Sequence, residues 1–222
     1  MRFKEPTDLT RPSSIVPFIW PSPFDVKKLR VGFIDSQLSE SERIVFDQLK
    51  SDGAEMIPIE FPETIPLGAL MVGLDVESAA MHDSLFRTAE SDSDMGLWGP
   101  SFRKSQFARG IPYVQSMRAR TLLIQETERV LRRVDVLLGS DDLVRTNLSG
   151  HPSMVVRFGT QELTTPRRSR EPVENADSKP KPVVMAPRVI KLTAKFFGDA
   201  WLVAVADYIE RTLPAKPELP AM

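Results

Sequence analysis

The sequence predicts an α/β fold, in which a mixed and mainly parallel sheet of about five strands is flanked by helices. A strand–helix–strand pattern runs from Leu29 to Phe61, and a crossover of that length usually joins parallel strands. Apolar runs typical of strands recur later in the chain, and patterns typical of amphipathic helices lie between or after them. This alternation of strands and helices is the mark of a sheet covered by helices.

The first unit carries its own boundary signals. LRVGFID and AEMIPIEF are short apolar runs that predict two strands, and SESERIVFDQLKSDG between them predicts a helix. Ser39 is followed three residues later by Glu42, which is the pattern of a capping box at a helix N-terminus. Gly53 stands where a helix commonly ends.

The middle of the chain predicts two long helices. Apolar residues at roughly helical spacing indicate one helix over 66–90, bent near Gly73, and GLWGPSFRKSQFARG makes a shorter helical or turn segment after it. Pro112 begins the second long helix, PYVQSMRARTLLIQETERVLRR. Its predicted core face consists of Val114, Met117, Leu122, Thr121 or Ile124, Val130 and Leu131.

The last third predicts strands, a turn and a closing helix. VDVLLG is an apolar strand, TNLSGHP is a turn, and Met154 to Phe158 form the next strand. PVVMAPRVIKL resumes strand character, and GDAWLVAVADYIERTL predicts an amphipathic helix.

Proline-rich and charged segments delimit the predicted domain. Residues 1–28 carry scattered prolines and no sustained period, so we expect an extended lead-in. The α/β domain should span 29–213, and 214–222 form a proline-rich tail. The segment at about 160–182 has few apolar residues and is expected to be a mobile, charged loop.

Composition excludes several classes of function. The 222 residues hold 29 basic and 30 acidic side chains, no cysteine and two histidines. This excludes disulfides, thiol nucleophiles and cysteine-ligated or histidine-rich metal sites, and it gives no support to nucleic-acid binding. No glycine-rich phosphate loop occurs, so no cofactor is expected. The sequence has neither an apolar stretch that predicts a membrane span nor a signal-peptide pattern, so we expect a cytoplasmic protein with no membrane partner.

Three local patterns could carry chemistry, and each has a structural alternative. Ser101 and Lys104 match Ser-x-x-Lys, but no supporting motif follows, so a surface helix is the favoured interpretation. The acidic pairs at Asp141–Asp142 and in residues 91–94 are more typical of turns than of cation sites. His151 could act as an acid or base, but a histidine without a recognisable carboxylate partner is more often structural.

Four segments in order along residues 77–159 resemble the amidase signature family, whose members hydrolyse or transfer carboxamide groups. They are ESAAMHDSLFR, FRKSQFARGIPYVQSMRAR, VDVLLG and TNLSGHPSMVV. The resemblance covers most of the chain but only the later, C-terminal half of the family's domain. It implies an α/β fold of which this chain is a part.

The family's lysine and two serines lie in a glycine- and serine-rich stretch of the earlier half, which matches nothing in these residues. The resemblance therefore assigns no catalytic residue here and no metal. What it does imply is a wall of the acyl or amide pocket. The implied substrate-binding residues are Trp98, Phe102, Arg103, Tyr113, Asn147, Gly150 and His151.

The resemblance leaves two functions open. The first is an amidase by descent, truncated and inactive alone, which acts on a small amide when a separate nucleophile-bearing half complements it. The second is a non-catalytic binding or scaffold protein that retains the pocket wall. Because part of a sheet exposes an unpaired edge, we also expect self-association or a partner that covers the missing strands.

Overall fold

The computed structural model describes residues 18–20, 23–86, 99–139, 143–164 and 183–213. The described strands are β1 (Arg30–Phe33), β2 (Glu55–Pro58), β3 (Val136–Leu138), β4 (Ser153–Thr164) and β5 (Val183–Thr193). The described helices are α1 (Glu40–Ser51), α2 (Leu67–Met81), α3 (Asp83–Phe86), α4 (Gly99–Ser105), α5 (Gly110–Leu131), α6 (Leu143–Ser149) and α7 (Asp199–Thr212). Most of the predicted lead-in and the whole tail, 214–222, lie outside the described residues.

The strands form one mixed sheet in the order β2-β1-β3-β5-β4. β1 pairs in parallel with both β2 and β3, and β5 pairs antiparallel with both β3 and β4. The predicted α/β class and mixed five-stranded sheet are confirmed. The pairings divide evenly between parallel and antiparallel, because the chain returns along β5 as the second strand of a long hairpin.

The hairpin is longer than the sequence predicted. β4 continues to Thr164 and pairs with β5 as far as Val183, so residues 160–164 form strand where a loop from about 160 was expected. The sequence TQELT has a single apolar residue, so no apolar pattern indicated a strand at this point. The strand is stabilised by its pairing with β5. Residues 165–182 lie outside the described part of the chain.

Helices cover the sheet on both faces, but unequally. On one face, α1 and α7 pack against all of β1, β3, β5 and β4, and the buried cluster includes Val45, Val136, Ile190 and Val205. On the other face, Val130 and Leu131 at the end of α5 pack against Leu137 of β3, with Ile57 of β2 beside them. No helix among the described residues is long and apolar enough to cross a membrane.

The predicted capping box is confirmed at the start of α1. The Ser39 hydroxyl accepts a hydrogen bond from the Glu42 N–H at 3.3 Å, and the Glu42 carboxylate accepts one from the Ser39 N–H at 2.8 Å. At the other end of the helix, Gly53 adopts a φ of 99°, which a glycine tolerates best.

Replacing Ser39 by alanine should lower the free energy of unfolding by about 1 kcal/mol, because the Glu42 N–H in the first turn loses the Ser39 hydroxyl that accepts its hydrogen bond. Urea denaturation measures the change. Ser51→Ala, an exposed position at the other end of the same helix, is the matched control and should leave the stability unchanged. Equal stabilities for the two variants would contradict the role given to the box.

The middle helices differ from their predictions in two respects. The helix predicted over 66–90 ends at Met81, where His82 makes a turn before the short α3, and residues 87–90 lie outside the described part of the chain. The predicted core face of α5 is partly wrong. Val114 and Leu122 are exposed, whereas Ser116, Leu123 and Thr127 are buried.

Candidate functional site

The segment TNLSGHP lies against the long helix α5. Its first residues belong to α6, so the predicted turn is confined to the residues after Ser149, where Gly150 adopts a φ of 75°. The Arg120 Nε on α5 donates a hydrogen bond of 2.6 Å to the carbonyl of Leu148. Arg145 is buried and stacks 4.4 Å from the ring centroid of Phe61. These contacts fix α6 and the turn on the helical layer.

His151 has a carboxylate partner that the sequence did not reveal. Its Nε2 lies 3.1 Å from the Glu128 Oε2, and its Nδ1 lies 2.8 Å from the Ser149 Oγ. A carboxylate only accepts hydrogen bonds, so Nε2 carries the proton of the neutral ring and Nδ1 accepts from the Ser149 hydroxyl. The ring is fully buried and stacks on Phe196, with 4.1 Å between centroids.

Glu128 joins two further parts of the chain to this histidine. Its Oε2 also accepts the Phe196 N–H at 3.1 Å, and its Oε1 accepts the Arg132 Nε at 2.8 Å. The carboxylate therefore connects α5, the turn after α6 and the bend before α7. Ser149 and His151 are both buried in the described chain, so the network holds these three segments together.

The network favours a neutral histidine beside an ionised carboxylate. Burial lowers the pKa of His151 below its ordinary value, and the neighbouring Glu128 offsets only part of that effect. Burial alone would raise the pKa of Glu128, but hydrogen bonds from Arg132, from the Phe196 N–H and from His151 outweigh it and lower that pKa.

Stability should therefore fall on acidification. The unfolded chain binds a proton at histidine near pH 6.5 while the folded chain resists it, so the loss begins there and deepens as Glu128 protonates below about pH 4.5. Urea denaturation between pH 8 and pH 5 measures the loss. His151→Gln should remove the first part of this pH dependence, while His82→Gln, at the other histidine, should retain it. An unchanged pH dependence in His151→Gln would contradict the assignment.

Asn147 faces a small cleft between α2, α5 and α6. The cleft is shallow, with a cavity volume of about 30 Å³. It is lined by Leu70, Gly73, Leu74, Glu77, Met117, Arg120, Asn147 and Leu148. We refer to it as the Asn147 cleft. Glu77 can accept a hydrogen bond and Arg120 and Asn147 can donate one, so the cleft can hold a small polar group between apolar walls. None of the described lining residues carries a nucleophilic hydroxyl or amine.

The remaining residues implied by the family resemblance lie along the neighbouring helices. The Tyr113 hydroxyl approaches the Glu77 carboxylate at 3.5 Å. Phe102 stacks on His82 with 5.7 Å between centroids, and the Arg103 guanidinium lies 5.5 Å from the centroid of Phe86. Trp98 lies outside the described residues. Because Glu77 also lines the Asn147 cleft, Tyr113 contacts a residue of that cleft. Phe102 and Arg103 instead pack near the junction of α2 and α3.

The other candidate motifs do not form a site in the described chain. Lys104 is exposed on α4, so it lacks the desolvation that would let it activate Ser101. Asp141–Asp142 and residues 91–94 lie outside the described residues. Elsewhere in the described ranges, no group of three or more histidine, aspartate or glutamate residues could hold a metal ion.

Solved structures provide the comparison with known proteins. No family model matches the chain, and no curated protein matches it. A structure described as an amidase matches with a TM-score of 0.58 and 18% identity, over 86% of this chain and 48% of its own. A bacterial aryl acylamidase of the amidase signature family matches with a TM-score of 0.57 and 12% identity, over 84% of this chain and 44% of its own.

A fatty acid amide hydrolase is similar to the same extent, with a TM-score of 0.60 and 16% identity over 88% of this chain and 42% of its own. The chain thus spans less than half the length of these three structures. That share is consistent with a resemblance to one half of their fold. The described sheet and helices therefore have the α/β fold of part of the amidase signature enzymes.

Proposed function

We propose that this chain forms the pocket-lining part of an amidase-type hydrolase, and that the serine nucleophile comes from residues outside these 222. The proposal rests on how much of each chain the structural matches cover. The matches cover nearly the whole of this chain but less than half of each matched amide hydrolase. The lack of a nucleophile among the described residues of the Asn147 cleft agrees with it.

In such a unit, a serine supplied from outside the chain attacks the amide carbonyl and forms an acyl-enzyme, and the amine leaves. The contribution of this chain is binding and support. Arg120 and Asn147 can donate hydrogen bonds to a carbonyl oxygen, while Glu77 can accept one from an amide N–H. Glu128 and His151 hold the segment that carries Asn147 in place.

Co-expression tests the proposal. The chain is produced alone and with the polypeptide encoded immediately upstream, and hydrolysis of acetanilide and of a fatty-acid primary amide is measured. We expect turnover only from the combination, and only when the upstream sequence supplies a lysine and a glycine-flanked serine pair. Turnover by the chain alone, or no turnover from such a combination, would overturn the proposal.

The Asn147 cleft favours a second candidate, a non-catalytic amide-binding or scaffold protein, because its polar and apolar lining needs no nucleophile to bind. Titration of the chain alone with acetamide and with acetanilide, monitored by NMR, distinguishes the binding protein from the amidase part. Saturable binding that Asn147→Ala abolishes, without turnover in any combination, would support the binding protein. Absence of binding to the chain alone would remove this candidate.

A further inference from the structure

The Asn147 cleft carries opposite charges at its two ends. The Ser116 hydroxyl of α5 donates to the Leu70 carbonyl of α2 at 3.2 Å, and the Tyr113 hydroxyl lies 3.5 Å from the Glu77 carboxylate. Later residues of α2 therefore lie beside earlier residues of α5, so the two helices run antiparallel. Glu77 lies at the Tyr113 end of the cleft, and Arg120 lies about 10 Å beyond Tyr113 along the axis of α5.

An apolar floor separates the two charged ends. A Cβ atom added at Gly73 on α2 would lie 3.2 Å from the Ser116 Oγ and 3.3 Å from the Met117 Sδ, so the two helices pack closely here. Leu70, Leu74 and Met117 line the cleft between its ends. Because these side chains offer no hydrogen bond to replace those of water, a polar group of a ligand is bound well only at an end.

The charges at the two ends do not neutralise each other. The Tyr113 hydroxyl donates to Glu77, and the Arg120 Nε donates to the Leu148 carbonyl at 2.6 Å, so the described partner of each charge is neutral. Among the described residues no ion pair joins Glu77 to Arg120. The guanidinium has further N–H donors beside the one at Nε. Asn147 precedes Leu148 and lines the same cleft, so its amide adds a donor at the Arg120 end.

We propose that the Asn147 cleft selects a short amide that carries an ammonium group at its other end. The amide carbonyl accepts hydrogen bonds from Arg120 and Asn147, and the ammonium binds Glu77. The small cavity volume of about 30 Å³ favours an unbranched chain between the two groups. Hydrolysis of such an amide consumes one water and releases ammonia and the amino acid. The inference rests on the function proposed above, because it names the substrate class of that same cleft.

The contact with Tyr113 gives Glu77 a structural alternative. At 3.5 Å this hydrogen bond is long, so the tyrosine does not saturate an exposed carboxylate that has two acceptor oxygens. The charge of the ligand distinguishes the two roles. A structural Glu77 holds α2 to α5 whatever the ligand is, whereas a binding Glu77 prefers a cationic ligand over a neutral one of the same shape.

Titration of the whole chain with β-alaninamide and with butanamide, monitored by NMR at pH 7.5, tests the proposal. The two compounds share the amide and the chain length, and only β-alaninamide carries an ammonium group. We expect β-alaninamide to bind about fivefold more tightly, which is the effect of one exposed charge pair. Glu77→Gln should bind the two compounds equally. Asn147→Ala should weaken both alike, because it acts on the amide they share.

Asp75→Asn is the matched control, because it removes the same charge from α2 at a position outside the lining of the cleft. It should retain the preference for β-alaninamide, and circular dichroism confirms that each variant is folded. Equal affinity of the natural chain for the two compounds would overturn the inference, as would binding of neither. A preference lost in Asp75→Asn as well would assign it to the net charge of the helix and overturn it too. The amidase proposal is decided separately, by turnover in the co-expressed combination.

Discussion

Truncation of Leu123 to alanine should lower the free energy of unfolding by about 3 kcal/mol, which lies within the range for buried leucines. Leu123 is 0% exposed and lies in a cluster with Leu70 and Leu148. The cluster joins α5 to α2 and α6, so the cavity would lie where these three helices meet. Urea denaturation followed by circular dichroism measures the loss.

Leu122→Ala is the matched control, because it makes the same chemical change one residue earlier on the same helix. Leu122 is 57% exposed, so its truncation should change the stability by no more than about 0.5 kcal/mol. Equal losses in the two variants would show that α5 packs with a different face from the one described. A greater loss in Leu122→Ala would support the face expected from the sequence.

The error in the predicted face of α5 has a physical cause. The buried residues Ser116, Leu123, Thr127 and Val130 recur at helical spacing, but two of them are polar. The Ser116 hydroxyl donates to the Leu70 carbonyl at 3.2 Å, which makes its burial tolerable. An apolar count selects leucines and valines and overlooks such positions. Tertiary partners, which the local pattern does not contain, decided the orientation.

The strand–helix–strand unit was predictable for the opposite reason. Ser39 and Glu42 are three residues apart, and the hydrogen bonds that join them are local. By contrast, β4 beyond Phe158 depends on its pairing with β5, so its polar sequence predicted a loop. Local signals located the first elements, while elements supported mainly by distant residues were misjudged in length or orientation.

The same distinction applies to the candidate site. TNLSGHP identified Asn147, Gly150 and His151 as one segment, and the structure keeps them together beside α5. The partner of His151 is 23 residues earlier in the chain. In the sequence, Glu128 is one of several charged residues in PYVQSMRARTLLIQETERVLRR, so nothing marked it as the centre of a network. Its role depends on the packing of α5 against the turn.

Glu128→Ala should lower the free energy of unfolding by about 3 kcal/mol. The substitution removes the acceptor of the buried His151 Nε2–H and of the Phe196 N–H, and buried donors left without partners are costly. Arg132 loses the same carboxylate, but its side chain is largely exposed and can turn to water. Urea denaturation at pH 7.5 measures the loss.

Glu128→Gln separates the hydrogen bonds from the charge. Its amide oxygen can still accept from both His151 and Phe196, so we expect it to lose less than about 1 kcal/mol at pH 7.5. It also removes the negative charge that partly offsets burial at His151, so the pKa of the histidine should fall further and the acid-induced loss of stability should steepen. A glutamine variant as unstable as the alanine variant would show that the charge, and not the shared acceptor, holds the turn against α5.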